Sequence, residues 1–185
     1  DIKSKGERIL SGYYDFYKAS FKKPLFTEKF FGYGGNKIYM DDISINGKVD
    51  RIDFINEQEK TVRVIDYKTG GVKSRNEIEG RNKNSDGNYK RQLVFYKILA
   101  ELDRNFSLTV VEAELNFVEP DKSGKFVKEV FEISQEEISE LKQIIKEVMN
   151  GIRNLNFERT KDYKVCAMCE YKPHCYPNGL PTPSA

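Results

Sequence analysis

Asp66 and Lys68 stand two residues apart in VRVIDYKTGG, residues 62–71, at the end of a β-branched run and ahead of a glycine pair. Side chains alternate along a strand, so both point to the same face as Val62 and Val64. The segments KVDRIDFI, 48–55, and TVRVIDYKT, 61–69, joined through NEQEK, read as a hairpin. With a three- or five-residue loop centred on Gln58, Phe54 faces Val62, Ile52 faces Val64 and Asp50 faces Asp66. One face is then apolar near the turn and becomes Asp50, Asp66, Lys68 and Lys48 at its open end. The opposite face pairs Asp53 with Arg63, a cross-strand ion pair that explains Asp53 without chemistry.

Two carboxylates directly opposed, with Cβ atoms about 5 Å apart, repel each other and cost stability unless positive charge lies between them. A hard divalent cation is one such charge, because Mg2+ takes oxygen ligands and is held by one or two carboxylates plus waters and phosphates. Neutralisation by Lys68 and Lys48 on a solvated face is the other reading.

The elements around this hairpin have to position it. SKGERILSGYYDFYKAS, 4–20, carries Ile9, Leu10, Tyr13, Tyr14, Phe16 and Tyr17 at mostly helical spacing and reads as an aromatic-rich helix. Residues 26–40 read as two short strand pieces around a glycine turn. The stretch 70–88 is polar, rich in Gly and Asn and without periodicity, and is expected to be a mobile surface loop. NYKRQLVFYKILAEL, 88–102, is a helix with Leu93, Tyr96 or Lys97, and Ala100 along one stripe. Gln92 and Tyr96, four apart, share a helical face; Tyr96 also suits plain core. In LTVVEAELNFVEP, residues Thr109, Val111, Ala113, Leu115 and Phe117 are expected to face the core and Glu112, Glu114 and Asn116 to face out. DKSGK turns the chain into a further strand, FVKEVFEI. Ser134 and Glu137 form a capping box, with Ile133 stapled to Ile138, and the helix runs on through Leu141, Ile144, Ile145, Val148 and Ile152. Strands interleaved with helices make the class α/β, with a mixed central sheet flanked by helices.

A chain of 185 residues buries one sizeable core rather than two. Lys plus Arg number 31 against 29 Asp plus Glu, a net charge of +2, so attraction to nucleic acid has to come from local clustering. Such a cluster is Lys73, Arg75, Arg81, Lys83, Lys90 and Arg91, set against Glu77, Glu79 and Asp86; a solvated surface has the same look. No apolar run nears the roughly 18 residues of a membrane span, which points to a soluble, cytoplasmic protein. The chain opens at Asp1, without Met and inside a helical pattern, as a piece of something longer would.

The order of NGKVDRIDF, VIDYKTG and, after a basic stretch, RQLVFY resembles the RecB-like branch of the PD-(D/E)XK nuclease superfamily. Asp50 matches that family's first metal aspartate, Asp66 and Lys68 its D-x-K element, and Gln92 with Tyr96 its Q-x-x-x-Y helix. The resemblance implies that Asp50, Asp66 and the Tyr67 carbonyl bind Mg2+ or Mn2+, while Lys68 positions or activates water and offsets phosphate charge. It implies a restriction-endonuclease-like core acting on DNA, expected to be single-stranded.

Cys166, Cys169 and Cys175 are spaced C-x2-C-x5-C, which suits metal better than disulfides. Zinc with His174 as fourth ligand would need the adjacent His174 and Cys175 to meet one ion, an awkward geometry. The spacing is similar to the C-terminal part of iron–sulfur nuclease domains in AddB-like and UvrD/Rep-type helicase-nucleases. There a fourth cysteine upstream completes a [4Fe-4S] cluster. That cysteine is absent here, as is the family's histidine or glutamate on an earlier helix; Glu7 and Glu28 are the nearby acidic stand-ins. The expectation is a nuclease core over 1–157 and a cysteine-containing tail over 158–185. The core would be a metal-dependent DNA nuclease, in exonuclease mode, working with helicase domains in repair or recombination. A non-catalytic DNA-binding or scaffold module with a degenerate site is the alternative.

Overall fold

The computed structural model describes residues 1–156, 159–160 and 162–180. It divides into two compact units, Asp1–Ile145 and Lys146 onward. The boundary expected at Phe157 and Glu158 lies outside the described residues.

In the first unit, helix α1 (Ile2–Tyr17) precedes strand β1 (Phe26–Phe31), a small hairpin of β2 (Ile38–Met40) and β3 (Ile43–Ile45), and the long hairpin of β4 (Gly47–Asn56) and β5 (Thr61–Lys68). Then come α2 (Arg75–Ile78), α3 (Asn88–Leu102), β6 (Thr109–Phe117), β7 (Lys128–Phe131) and α4 (Gln135–Arg153), whose residues from Lys146 on belong to the second unit. The main sheet runs β1-β4-β5-β6-β7. Strands β5 and β6 are parallel and the other neighbours antiparallel. A parallel pair needs a long crossover, and α3 supplies it. Leu93, Ile98 and Leu99 of α3 are fully buried, as are Val62 and Val64 of β5 and Ile52 of β4. This is the mixed α/β fold expected, with a central mixed sheet flanked by helices.

The β4–β5 register is the expected one, with Ile52 opposite Val64 and Phe54 opposite Val62. The ion pairs behind it are not. Asp53 opposes Arg63 in register, yet it binds Arg51, two residues along its own strand, at 2.8 Å. Arg63 turns instead to Glu112 and to Glu114, the latter at 2.9 Å. Strand β6 also departs from expectation: Glu114 and Asn116 are each only 2% exposed rather than facing out. A central parallel strand is covered on both faces. Here Tyr13 of α1 donates to Asn116 Oδ1 at 2.9 Å and Asn116 donates to Glu114 at 3.1 Å, so the buried polar groups are satisfied.

Residues 70–88 are folded, not a loose loop. Ser74 and Glu77 cap α2 reciprocally, and Ile78 is fully buried. Gly80 and Gly87 have φ of 73° and 67°, and a Cβ on Gly80 would fall 2.8 Å from the Gly87 nitrogen, so this fold-back admits only a glycine. The capping box of α4 forms as expected, Ser134 N donating to Glu137 at 3.0 Å and Glu137 N to Ser134 at 3.2 Å, with Ile133 and Ile138 buried.

One irregularity bears on the site. Gly47 faces α3, since a Cβ there would fall 2.5 Å from Leu99, and even-numbered Ile52 also lies on the face that Asp66 shares with α3. Phe26 and Phe31 both pack on Phe106, with centroids 6.3 and 5.2 Å away. Odd and even positions share a side only if the pleat flips between them. Strand β1 flips at Glu28, which has φ of 52°. Register is otherwise kept, Thr27 opposing Arg51 and Lys29 opposing Val49, so Glu28 is level with Asp50.

In the second unit, α5 (Tyr163–Ala167) is capped by Asp162, which accepts from Lys164 N at 3.0 Å, and α6 (Lys172–Cys175) follows.

Candidate active site

Asp50 lies one step beyond the last paired position of the β4–β5 ladder, Arg51 with Ile65. Its Oδ2 accepts a hydrogen bond from Tyr67 N–H at 2.9 Å, a side chain standing in for the partner strand. The register sets it across from Asp66. Burial pushes the Asp50 carboxyl up from its ordinary range, and the nearby charges of Asp66 and Glu28 add to this; the Tyr67 N–H and Lys48 oppose it.

Asp66 sits in a closed ring of contacts between β5 and α3. Tyr96 donates to Asp66 Oδ1 at 2.8 Å, Gln92 donates to the Tyr96 hydroxyl at 2.7 Å, and Lys68 donates to Gln92 Oε1 at 2.6 Å. The Lys68 ammonium returns to Asp66 Oδ2 at 2.7 Å, out of line for a hydrogen bond. Oδ2 is therefore a buried carboxylate oxygen that, among the described residues, is ion-paired with Lys68 and accepts no hydrogen bond. Tyr96 is buried and bonded to Asp66, so it serves core and site together. Its hydroxyl is held well above the ordinary range, first by burial and then by the Asp66 charge, so it remains a neutral donor.

Lys68 also lies 4.5 Å from the Tyr89 ring centroid, and Lys73 reaches the same ring at 4.9 Å. The rest of the basic cluster is dispersed. Arg75 pairs with Glu129 at 3.1 Å, Arg81 with Glu79 at 3.1 Å, Lys90 with Glu137 at 3.1 Å and Arg91 with Asp86 at 4.0 Å; Lys83 is exposed. Glu7 is an exposed α1 residue beside Lys3. Glu28 is the stand-in set next to Asp50, and it is ion-paired with Lys48. Thus Lys48 does not join the Asp66 and Lys68 face as expected: the flip turns it away from the Gly47 side. The rung was hidden in the sequence because fifteen residues, 32–46, holding a second hairpin, separate β1 from β4, and no tight turn fixes their register.

A buried carboxylate oxygen whose one neighbour is an ammonium, opposite a second carboxylate, is a donor set that suits a hard divalent cation. The cysteines differ. Cys166 is buried, Cys169 exposed and Cys175 partly exposed. Among the described residues no three of His, Cys, Asp and Glu are gathered tightly enough to hold an ion.

The family profile described as the PD-(D/E)XK nuclease superfamily matches residues 3–176. Among solved structures, a candidate exonuclease from Eubacterium rectale superposes with a TM-score of 0.54 at 11% identity, over 98% of this chain and 63% of that one. This chain thus spans less than two thirds of that protein. The crystal structure of SSO0001 aligns with a TM-score of 0.49 at 15% identity, over 95% of this chain and 70% of that one. No curated protein sequence gives a significant match.

Proposed function

The chain belongs to the PD-(D/E)XK nuclease superfamily, and from that premise we propose that it hydrolyses DNA phosphodiester bonds at Asp50, Asp66 and Lys68. Asp50, Asp66 and the Tyr67 carbonyl are the groups to hold Mg2+ or Mn2+. When bound, such an ion supplies Lewis acidity toward the phosphate and acidifies water. The protein's own part is placement. Tyr96 and Gln92 fix Asp66 and Lys68 through their hydrogen bonds, so neither has to be ordered during reaction. Lys68, an ammonium that cannot ligate a cation, orients the attacking water and offsets charge building on the phosphate. Lys73, Arg75, Arg81, Lys83, Lys90 and Arg91 are proposed to meet flanking phosphates.

The observation that carries this reading is the buried Asp66 carboxylate, paired with the Lys68 ammonium at 2.7 Å and set across from Asp50. The finer assignment is to the RecB-like branch, acting as an exonuclease on single-stranded DNA in the cytoplasm, as a helicase-linked module in repair or recombination. Motif order supports the branch, and likeness to a candidate exonuclease supports the mode. The cysteine tail enters no step of the chemistry. A single-stranded oligonucleotide incubated with Mn2+ tests the core claim. Wild type should cut it, and Asp66→Asn should reduce cutting to background with circular dichroism unchanged; equal cutting by both would remove the assignment.

A further inference from the structure

Tyr89 stands three residues before Gln92 and seven before Tyr96, so on α3 it carries the face those two share one turn further. Lys68 meets that face twice, at Gln92 Oε1, 2.6 Å away, and at the Tyr89 ring, whose centroid is 4.5 Å away. Lys73 comes to the same ring at 4.9 Å, its backbone fixed by the reciprocal cap of α2 that starts at Ser74. One ring thus gathers two ammonium groups. Like charges brought together repel unless negative charge is shared between them, and only Lys68 has its carboxylate, Asp66. Lys73 is half-buried, and among the described residues no carboxylate is in ion-pair contact with it, whereas Arg75, Arg81, Lys90 and Arg91 each have one. Glu77, four residues on, is committed to Ser74, accepting from its N–H at 2.9 Å and its hydroxyl at 2.6 Å. The ring itself is half-buried, 6.4 Å from the fully buried ring of Phe117, and the attraction of a cation to an aromatic face grows as water is excluded. A carboxylate in its place would also hold the two lysines, but it would cancel the charge that a phosphate needs. The aromatic ring orders them and leaves their charge intact.

Resting on the nuclease reading above, we propose that Tyr89 is a positioning residue whose ring gathers Lys68 and Lys73 into one seat for consecutive phosphates of a DNA strand. Lys68 takes the scissile phosphate and Lys73 its neighbour. The ring touches neither phosphate; it acts through the lysines, ordering both before the strand arrives, so less freedom is lost when the strand binds. Lys73 is thereby set apart from the other basic residues of 73–91, whose carboxylate partners already share their charge.

Fluorescence anisotropy of a labelled single-stranded oligonucleotide, with the whole chain in EDTA over a range of salt, reads the phosphate contact apart from cleavage. Lys73→Met should weaken binding and lower the slope of log affinity against log salt by about 0.7, one phosphate of a single strand. Tyr89→Leu should lower the slope by the same amount, the double variant should lose no more than either, and Tyr89→Phe should restore what Tyr89→Leu loses. Cleavage with Mn2+ separates the two lysines: Lys73→Met should raise KM more than it lowers kcat, whereas Tyr89→Leu should move both, because it loosens Lys68 as well. Phenylalanines of increasing ring fluorination at position 89 keep the packing on Phe117 while weakening the pull of the ring on cations. Affinity should fall step by step along that series at constant melting temperature, which keeps the test standing even where Tyr89→Leu fails to fold. A flat series, or a folded Tyr89→Leu chain with the wild-type slope, would overturn the role of Tyr89. A wild-type slope in Lys73→Met would overturn the second phosphate contact and leave the nuclease reading in place. A wild-type chain that neither binds nor cuts the oligonucleotide would remove that reading, and the seat with it.

Discussion

At the scale of single residues, one contact decides what Lys68 does. Its ammonium lies 2.7 Å from Asp66 Oδ2 and donates to Gln92 at 2.6 Å, so it shields the oxygen that a cation would use. Removing the charge therefore separates two roles. Lys68→Met should lower the cleavage rate by about a hundredfold or more, as for loss of a group that stabilises transition-state charge. The same change should leave Mn2+ affinity intact or tighter, because a competitor for Oδ2 is gone. Calorimetry read against single-turnover cleavage gives both numbers. An affinity loss as large as that of Asp66→Asn would mean that Lys68 builds the site rather than acting in it. Asp50, Asp66, Lys68, Gln92 and Tyr96 were legible because a strand period of two and a helix spacing of four put them on defined faces, and those faces meet. Glu28 was legible only as one of two acidic stand-ins; its place level with Asp50 was not, since it depends on a register that no short turn dictates and on a positive φ that its residue type does not announce.

Among the elements, α1 and β6 show where alternation misleads. The pattern in 109–117 assigns Glu114 and Asn116 to solvent, as a half-buried edge strand would. Strand β6 is instead flanked by β5 and β7, and both its faces are covered. The polar side chains it carries are held by Tyr13, Arg63 and one another. Helix α1 is tied here by this hydrogen bond as well as by aromatic packing, since Tyr13 is buried with Phe126 against its ring edge at 5.6 Å and Phe16 also packs on Phe126. Tyr13→Phe keeps the ring and deletes the hydroxyl, leaving buried Asn116 Oδ1 without its donor. The expected cost is about 1–2 kcal/mol, the range for a buried hydrogen bond broken on one side. Urea denaturation should show it as a lower midpoint with an unchanged slope. No loss of stability would mean that water replaces the hydroxyl and that α1 is held by its aromatic contacts alone. Where alternation and burial agree, as in the β4–β5 hairpin and the α4 capping box, sequence and structure coincide.

For the molecule as a whole, the question is how much of the chain the chemistry needs. The proposed site residues Asp50, Asp66, Lys68, Gln92 and Tyr96, together with the groups they hydrogen-bond, fall between residues 50 and 96. All of these belong to the unit Asp1–Ile145. The three cysteines belong to the other unit and are not gathered with one another for an ion. Their spacing was legible as a ligand pattern, but spacing along a chain does not bring thiols to one point. The prediction to test is that changes in the tail add to changes at the site without coupling. A chain ending at Asn156, just past the last turn of α4, should keep the sheet and bind Mn2+ within about twofold of the whole chain. It should also cut a short single-stranded oligonucleotide at a comparable rate, as should the full chain carrying Cys166→Ser. Circular dichroism comes first, to establish that the shortened chain is folded. A folded truncation that lost Mn2+ affinity would assign the tail a part in the site; one that kept affinity but lost cutting would assign it to holding the DNA.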